Sequence, residues 1–182
     1  EAKKELEEII ERTPELKEMK KSLLIDNTPE GLRIQLLDKE GLPMFPSGGA
    51  EMFDHTKRLL ALVSKVIVKM PQQISISGHT DSVPYVSKTG YSNWELSADR
   101  ANAARRELVH AEVPFERVSK VVGKAATEPF LPEDPKNARN RRLSIIMLRG
   151  TGRDKPSPSA KEESLPGLGA IRRKQLEDSK TQ

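Results

Sequence analysis

The sequence predicts an α/β (α+β) sandwich, one sheet with helices on one face, preceded by a helical extension and followed by a disordered tail. Three observations carry that expectation. Short strand-like runs alternate with two long helical patterns between positions 22 and 149. The first 21 residues are dominated by charged residues, with apolar positions only at helical spacing. From Gly150 onward the composition turns to Pro, Ser, Gly and Lys. The expected organisation is an extension over 1–21, a domain over 22–149 and a tail over 150–182.

Each element has its own signal. Leu6, Ile9 and Ile10 mark a helix over 2–12, and Thr13-Pro14 reads as an N-cap with proline at the first helical position. Leu16, Met19 and Leu23 give that second helix one apolar edge. Strands are expected over 23–26 and 32–38, joined by the turn-forming string Thr28-Pro29-Glu30-Gly31. A loop over 41–49 holds two prolines and three glycines. Met52, Thr56, Leu59, Leu60, Val63, Val66 and Ile67 form the broad apolar face of a helix over 50–69, which Pro71 stops. Residues 73–77 alternate, with Ile74 and Ile76 on one side, as in a half-exposed strand.

After a loop over 82–90, Ser92-Asn93-Trp94-Glu95 reads as a capping box that opens a helix ended by Pro114. Its buried face is Ala101, Ala104, Leu108 and Ala111, small enough for close packing on a sheet. Strands over 117–123 and 142–148 flank a rigid loop over 129–135. The tail has too few large apolar residues to offset its ordering entropy, and only 171–177 has even a transient helical pattern.

Composition excludes several function classes. The chain has 182 residues and no cysteine, so it holds no disulfide, thiolate metal site or cysteine nucleophile. Its net charge of +4 and 4% aromatic content offer little for a nucleic acid to grip. His55, His79 and His110 share no metal-ligand spacing, so no metal or other cofactor is expected. No apolar run approaches the ~20 residues that span a bilayer, and no signal peptide opens the chain. It starts at Glu1 and reads as a fragment whose anchor lies elsewhere.

Chemistry concentrates in Gly78-His79-Thr80-Asp81, the helix from Asn93 to Arg100, and Asn140-Arg141-Arg142. Asp81 directly follows a strand, where loops commonly build sites. Asn93 and Arg100 are seven apart and share one helical face, so Arg100 is expected to point aside from the alanine-lined core. A ligand bearing an ammonium and a carboxylate needs an acid such as Asp81 and a forked donor such as Arg100. From spacing alone, the simpler reading is a salt bridge between those two residues. Asn140-Arg141-Arg142 alone reads as a solvated strand entry. His79 and Asp81 are alternate residues, which permits an acid–base pair, but no nucleophile motif accompanies them.

These strings, together with Leu96-Ser97-Ala98-Asp99-Arg100-Ala101, resemble the OmpA-like peptidoglycan-binding domain over roughly 22–149. Tyr91-Ser92-Asn93-Trp94-Glu95, Glu30-Gly31-Leu32-Arg33-Ile34 and Met44-Phe45 are similar to its MotB branch, the B subunits of bacterial flagellar stators. The resemblance implies a βαβαβ domain that grips the diaminopimelate of peptidoglycan stem peptides without catalysis. It gives Asp81 the ligand's ammonium and Arg100 its carboxylate, with Thr80, Asn93 and Arg141 around them.

It further implies a homodimer in the periplasm, a missing inner-membrane helix and a MotA-type partner subunit reached through that helix. A lateral-flagellum paralogue fits equally well. The loop over 82–90 departs from the family by its length. An envelope protein tying the outer membrane to peptidoglycan is the nearest alternative, and a wall hydrolase or nucleic-acid binder a more distant one. The extension is expected to regulate access or dimer geometry, because its apolar edge is too narrow to stand alone.

Overall fold

The structure, a computed structural model, describes residues 2–12, 14 and 20–151. Helix α1 (Ala2–Arg12) precedes a 3-10 turn at Lys20–Ser22. Strands β1 (Leu23–Asn27) and β2 (Gly31–Leu37) follow, then helix α2 (Asp54–Lys69) and strand β3 (Ile74–His79). Helix α3 (Asn93–His110), strand β4 (Val118–Gly123) and strand β5 (Arg142–Leu148) complete the domain. The run β2-α2-β3-α3-β4 is a βαβαβ core, extended by β1 and β5. Most of the second helix expected after Thr13, and the tail beyond Thr151, lie outside the described residues. Leu23, also expected on that helix's edge, opens β1.

The five strands order β1-β2-β5-β3-β4, antiparallel except for the parallel pair β3 and β4. Helix α3 connects that parallel pair, as parallel strands require a crossover. Ile34, Leu36, Ile74, Ile76, Leu143, Ile145 and Met147 meet Leu59, Leu60, Val63, Val66, Ile67, Ala104 and Leu108 from α2 and α3 in one core. Alternation sends Gln35, Ser75, Ser77, His79, Arg142 and Ser144 to the other face of the sheet.

Two expectations need correction. β3 is not half-exposed; all six of its residues are buried. It is an interior strand, and its serines are small enough to disappear between longer neighbours such as Ile146, Lys120 and Val122. The helix expected from position 50 starts at Asp54, although Met52 is still buried. The Phe53 amide donates to the Met44 carbonyl at 3.1 Å, which keeps the preceding residues in a loop against the domain.

Two glycines set how deeply α3 sits. A Cβ at Gly78 would lie 2.0 Å from the Ser97 carbonyl oxygen. One at Gly123 would lie 2.7 Å from the Ala98 nitrogen. Only residues without side chains let the helix backbone touch the sheet backbone there. The Ala125 amide then donates to Ser97 Oγ at 3.0 Å, locking the loop after β4 to the same helical turn.

Candidate functional site

Strand order builds the site. Leu37 pairs with Arg142, and Arg142 pairs with His79. The residues just outside those positions, Asp38, Arg141 and Thr80-Asp81, therefore meet at one end of the sheet. The Asp38 amide donates to the Arg141 carbonyl at 2.9 Å, and the Thr80 amide donates to the Ala125 carbonyl at 2.9 Å. Asn140 is fully buried and staples the preceding loop: its side chain accepts from the Leu131 amide and donates to the Asp134 carbonyl, each at 2.8 Å.

A cavity of about 480 Å³ opens at this end. Thr80, Asp81, Asn93, Arg100 and Arg141 all line it, so the structure brings the five predicted residues to one place. Phe45, Pro46, Phe53, Val83, Tyr85 and Leu96 supply apolar walls. A volume of this size lies in the range of small-molecule sites. A second cavity of about 390 Å³, between the start of α2 and α3, contains none of the five.

The charges are not arranged as spacing alone suggested. Among the described residues the ion pair of Asp81 is with Arg141, whose NH1 donates to Asp81 Oδ2 at 2.7 Å. The Val83 amide occupies Asp81 Oδ1 at 3.0 Å. Arg141 also donates through Nε to Asp38 Oδ2 at 2.8 Å, so one guanidinium bridges two carboxylates. Burial lowers the Arg141 pKa, but hydrogen bonds to Asp38 and Asp81 outweigh it and the net direction is upward. The expected solvated strand entry is thus three residues with three roles, since Arg142 faces the other side of the sheet. There its Nε–H donates to Gln35 Oε1 at 2.9 Å.

Arg100 turns to the loop over 46–49 and is only 6% exposed. Its Nε donates to the Gly49 carbonyl at 2.9 Å and its NH2 to the Pro46 carbonyl at 3.2 Å. Its guanidinium lies 4.9 Å from the Phe45 ring centroid, a cation–π placement. Burial lowers its pKa, and the fields of Asp38 and Asp81 partly restore it. A guanidinium held by carbonyls and an aromatic face, with no carboxylate bonded to it among the described residues, is ready to receive an anion.

Thr80 is 3% exposed, and its hydroxyl has no hydrogen-bond partner among the described residues. Asn93 donates through Nδ2 to the Val83 carbonyl at 2.9 Å, tying α3 to the loop beyond Asp81. His79 faces away, across from Arg142, and burial together with the Arg142, Lys124 and Arg33 charges pushes its pKa down to about 3. It is neutral and no acid–base partner of Asp81.

Sequence reasoning missed Asp38, although it sits one residue past a strand end just as Asp81 lies close behind β3. It also missed the apolar walls, which carry no sequence signal of their own. No group of acidic and histidine residues suited to a metal occurs among the described residues.

Residues 44–142 match the OmpA family. Motility protein B of Escherichia coli K12 is 45% identical over 145 residues, covering 79% of this chain and 47% of that protein. The chain thus spans about half the length of the curated relatives it matches. Among solved structures, the cell wall anchor of the T6SS from Pseudomonas aeruginosa has a TM-score of 0.59 at 25% identity, covering 71% of this chain and 89% of that one. The periplasmic domain of Helicobacter pylori MotB shares the fold, with a TM-score of 0.60 at 18% identity over 87% of this chain and 99% of that one.

Proposed function

The chain belongs to the OmpA family, and on that premise we propose that it is the wall-gripping part of a flagellar stator B subunit. On this reading it is a non-catalytic anchor. It resides in the periplasm, tied to the inner membrane through a segment outside this chain, and works as a homodimer beside a MotA-type subunit. Its ligand is the diaminopimelate head of a peptidoglycan stem peptide. Asp81 takes the ammonium, Arg100 takes the carboxylate, and Thr80, Asn93 and Arg141 complete the surround.

The observation that carries this reading is the state of Arg100. It is buried at the cavity, and among the described residues its hydrogen bonds go to carbonyls rather than to a carboxylate. A zwitterion keeps such a cavity near electrical neutrality, whereas a simple anion or cation does not. Similarity to a motility protein over most of the chain favours a stator over an outer-membrane tether.

Co-sedimentation with purified sacculi tests it. The unmodified chain pellets, while Asp81→Asn and Arg100→Ala each lose roughly tenfold or more in affinity, the equivalent of one charge-assisted hydrogen bond. Equal pelleting by all three, each shown to be folded, removes the site assignment. A gel shift at physiological salt is expected to show no nucleic-acid binding.

A further inference from the structure

The site contains two carboxylates and two guanidiniums, but they are unevenly matched. Arg141 is bonded to both Asp38 and Asp81, whereas Arg100 is bonded to neither. Asp81, the acid assigned to a ligand's ammonium, is therefore already occupied by a cation of the protein itself. Its Oδ2 accepts from Arg141 and its Oδ1 from the Val83 amide. An arriving ammonium group meets Arg141 at Asp81, and one carboxylate cannot neutralise two cations.

Asp38 supplies the second negative charge. It is 3% exposed, and the Met44 amide holds its Oδ1 at 2.7 Å, leaving Oδ2 directed at Arg141. Burial pushes its carboxyl pKa up, and hydrogen bonds from Arg141 and the Met44 amide pull against that. With Asp38 in place, Arg141 keeps a carboxylate when Asp81 turns to the ligand. Ammonium and Arg141 then face Asp81 and Asp38, and the ligand carboxylate faces Arg100. Every charge has a partner.

We propose that Asp38 determines the selectivity of this site for ligands that carry an ammonium group, by holding Arg141 when the ammonium takes Asp81. The inference rests on the reading of the site as a diaminopimelate clamp. A ligand with carboxylates alone engages Arg100, leaves the Arg141–Asp81 pair intact, and is indifferent to Asp38.

Calorimetric titration at neutral pH with meso-diaminopimelate and with pimelate, which has the same chain and carboxylates but no amine, separates the possibilities. In Asp38→Asn, diaminopimelate affinity falls roughly tenfold or more, as for loss of one charge-assisted partner, while pimelate affinity changes less than about twofold. Equal losses for both compounds, or none for either, overturn the role of Asp38 and leave the clamp standing. No diaminopimelate binding by the unmodified chain overturns the clamp and this inference together.

If Asp38→Asn does not fold, the double variant Asp38→Asn/Arg141→Gln removes both charges and keeps the cavity balanced. Its preference for diaminopimelate over pimelate equals that of Arg141→Gln alone, because Asp38 then has no internal cation to hold. A folded double variant whose preference falls below that of Arg141→Gln also overturns the proposal. In a double-mutant cycle, Asp38→Asn has no further amine-specific effect once Arg141 is Gln.

Discussion

Gly78 couples the fold to the site, and replacing it with alanine perturbs both by a calculable amount. The added methyl lies 2.0 Å from the Ser97 carbonyl oxygen, 3.0 Å from its carbon and 3.3 Å from the Ala101 nitrogen. All three are backbone atoms of α3, so no side-chain rotation relieves the clash. To reach ordinary contact at 3.4 Å, helix and strand must separate by roughly 1.4 Å in a close-packed interior. Ala101 and Ala104 are both fully buried in the interface that must open.

Overpacking of this kind costs about 1–3 kcal/mol. For a domain of this size that is a fall of roughly 3–15 °C in Tm. The same displacement carries Arg100, three residues beyond Ser97, away from Asp81, although neither residue is changed. Gly78→Ala is therefore expected to lose sacculus binding at temperatures where it remains folded. Scanning calorimetry with co-sedimentation measures both effects on one sample. A variant with unaltered Tm and unaltered pelleting refutes the claim that this glycine sets the helix depth.

His79 makes stability depend on pH. Its folded pKa, about 3, lies below the ordinary value of 6.5, so the unfolded chain binds the proton more readily between those limits. The contribution is present in full above pH 6.5 and is lost as pH falls toward 3, at a slope approaching about 1.4 kcal/mol per pH unit. Urea midpoints at pH 7, 5 and 4 are expected to fall less steeply in His79→Gln, and an unchanged slope contradicts the assignment. Ser92→Ala removes a capping box in which Ser92 Oγ accepts from the Trp94 amide at 3.2 Å and Glu95 accepts from the Ser92 amide at 2.7 Å. It is expected to lower stability by about 1 kcal/mol, read as a lower denaturation midpoint at constant slope; a midpoint at or above that of the unmodified chain is the contrary result.

The elements were legible where the signal was local. The apolar face of α2, the capping box of α3 and the bounds of β5 all follow from spacing within a dozen residues or so. Burial of Ser75 and Ser77 was not legible, because it depends on which strands flank β3. Nor was the partner of Asp81. Arg141 lies 60 positions from it and 103 from Asp38. Only the order β2-β5-β3 brings those three together. Spacing along the chain suggested Arg100 as the partner, since it is near in sequence and on the right helical face. Strand pairing placed a different guanidinium at Asp81, and the carbonyls of residues 46 and 49 claimed Arg100. The family resemblance named five residues that line one cavity, but it carried no information about which charges the protein spends on itself.

That self-pairing bears on how an anchor of this kind holds load. Displacing Arg141 from Asp81 offsets part of what the ligand's ammonium gains there. A charge-assisted hydrogen bond is worth only about 1.5–3 kcal/mol net before that offset. A single clamp of the proposed type is consequently weak and quick to release. In the proposed homodimer, two clamps turn the second attachment into an intramolecular event, at an effective concentration on the order of millimolar for a short linker. The wall then holds the pair far longer than either alone, while each clamp still exchanges. The internal cation also preserves the shape of the empty site, because Arg141 pins the ends of β2, β3 and β5 to one another through two carboxylates. Preorganisation and modest affinity thus come from the same residue. A monomeric form of the chain, still folded and still binding free diaminopimelate, is expected to wash from sacculi that retain the dimer.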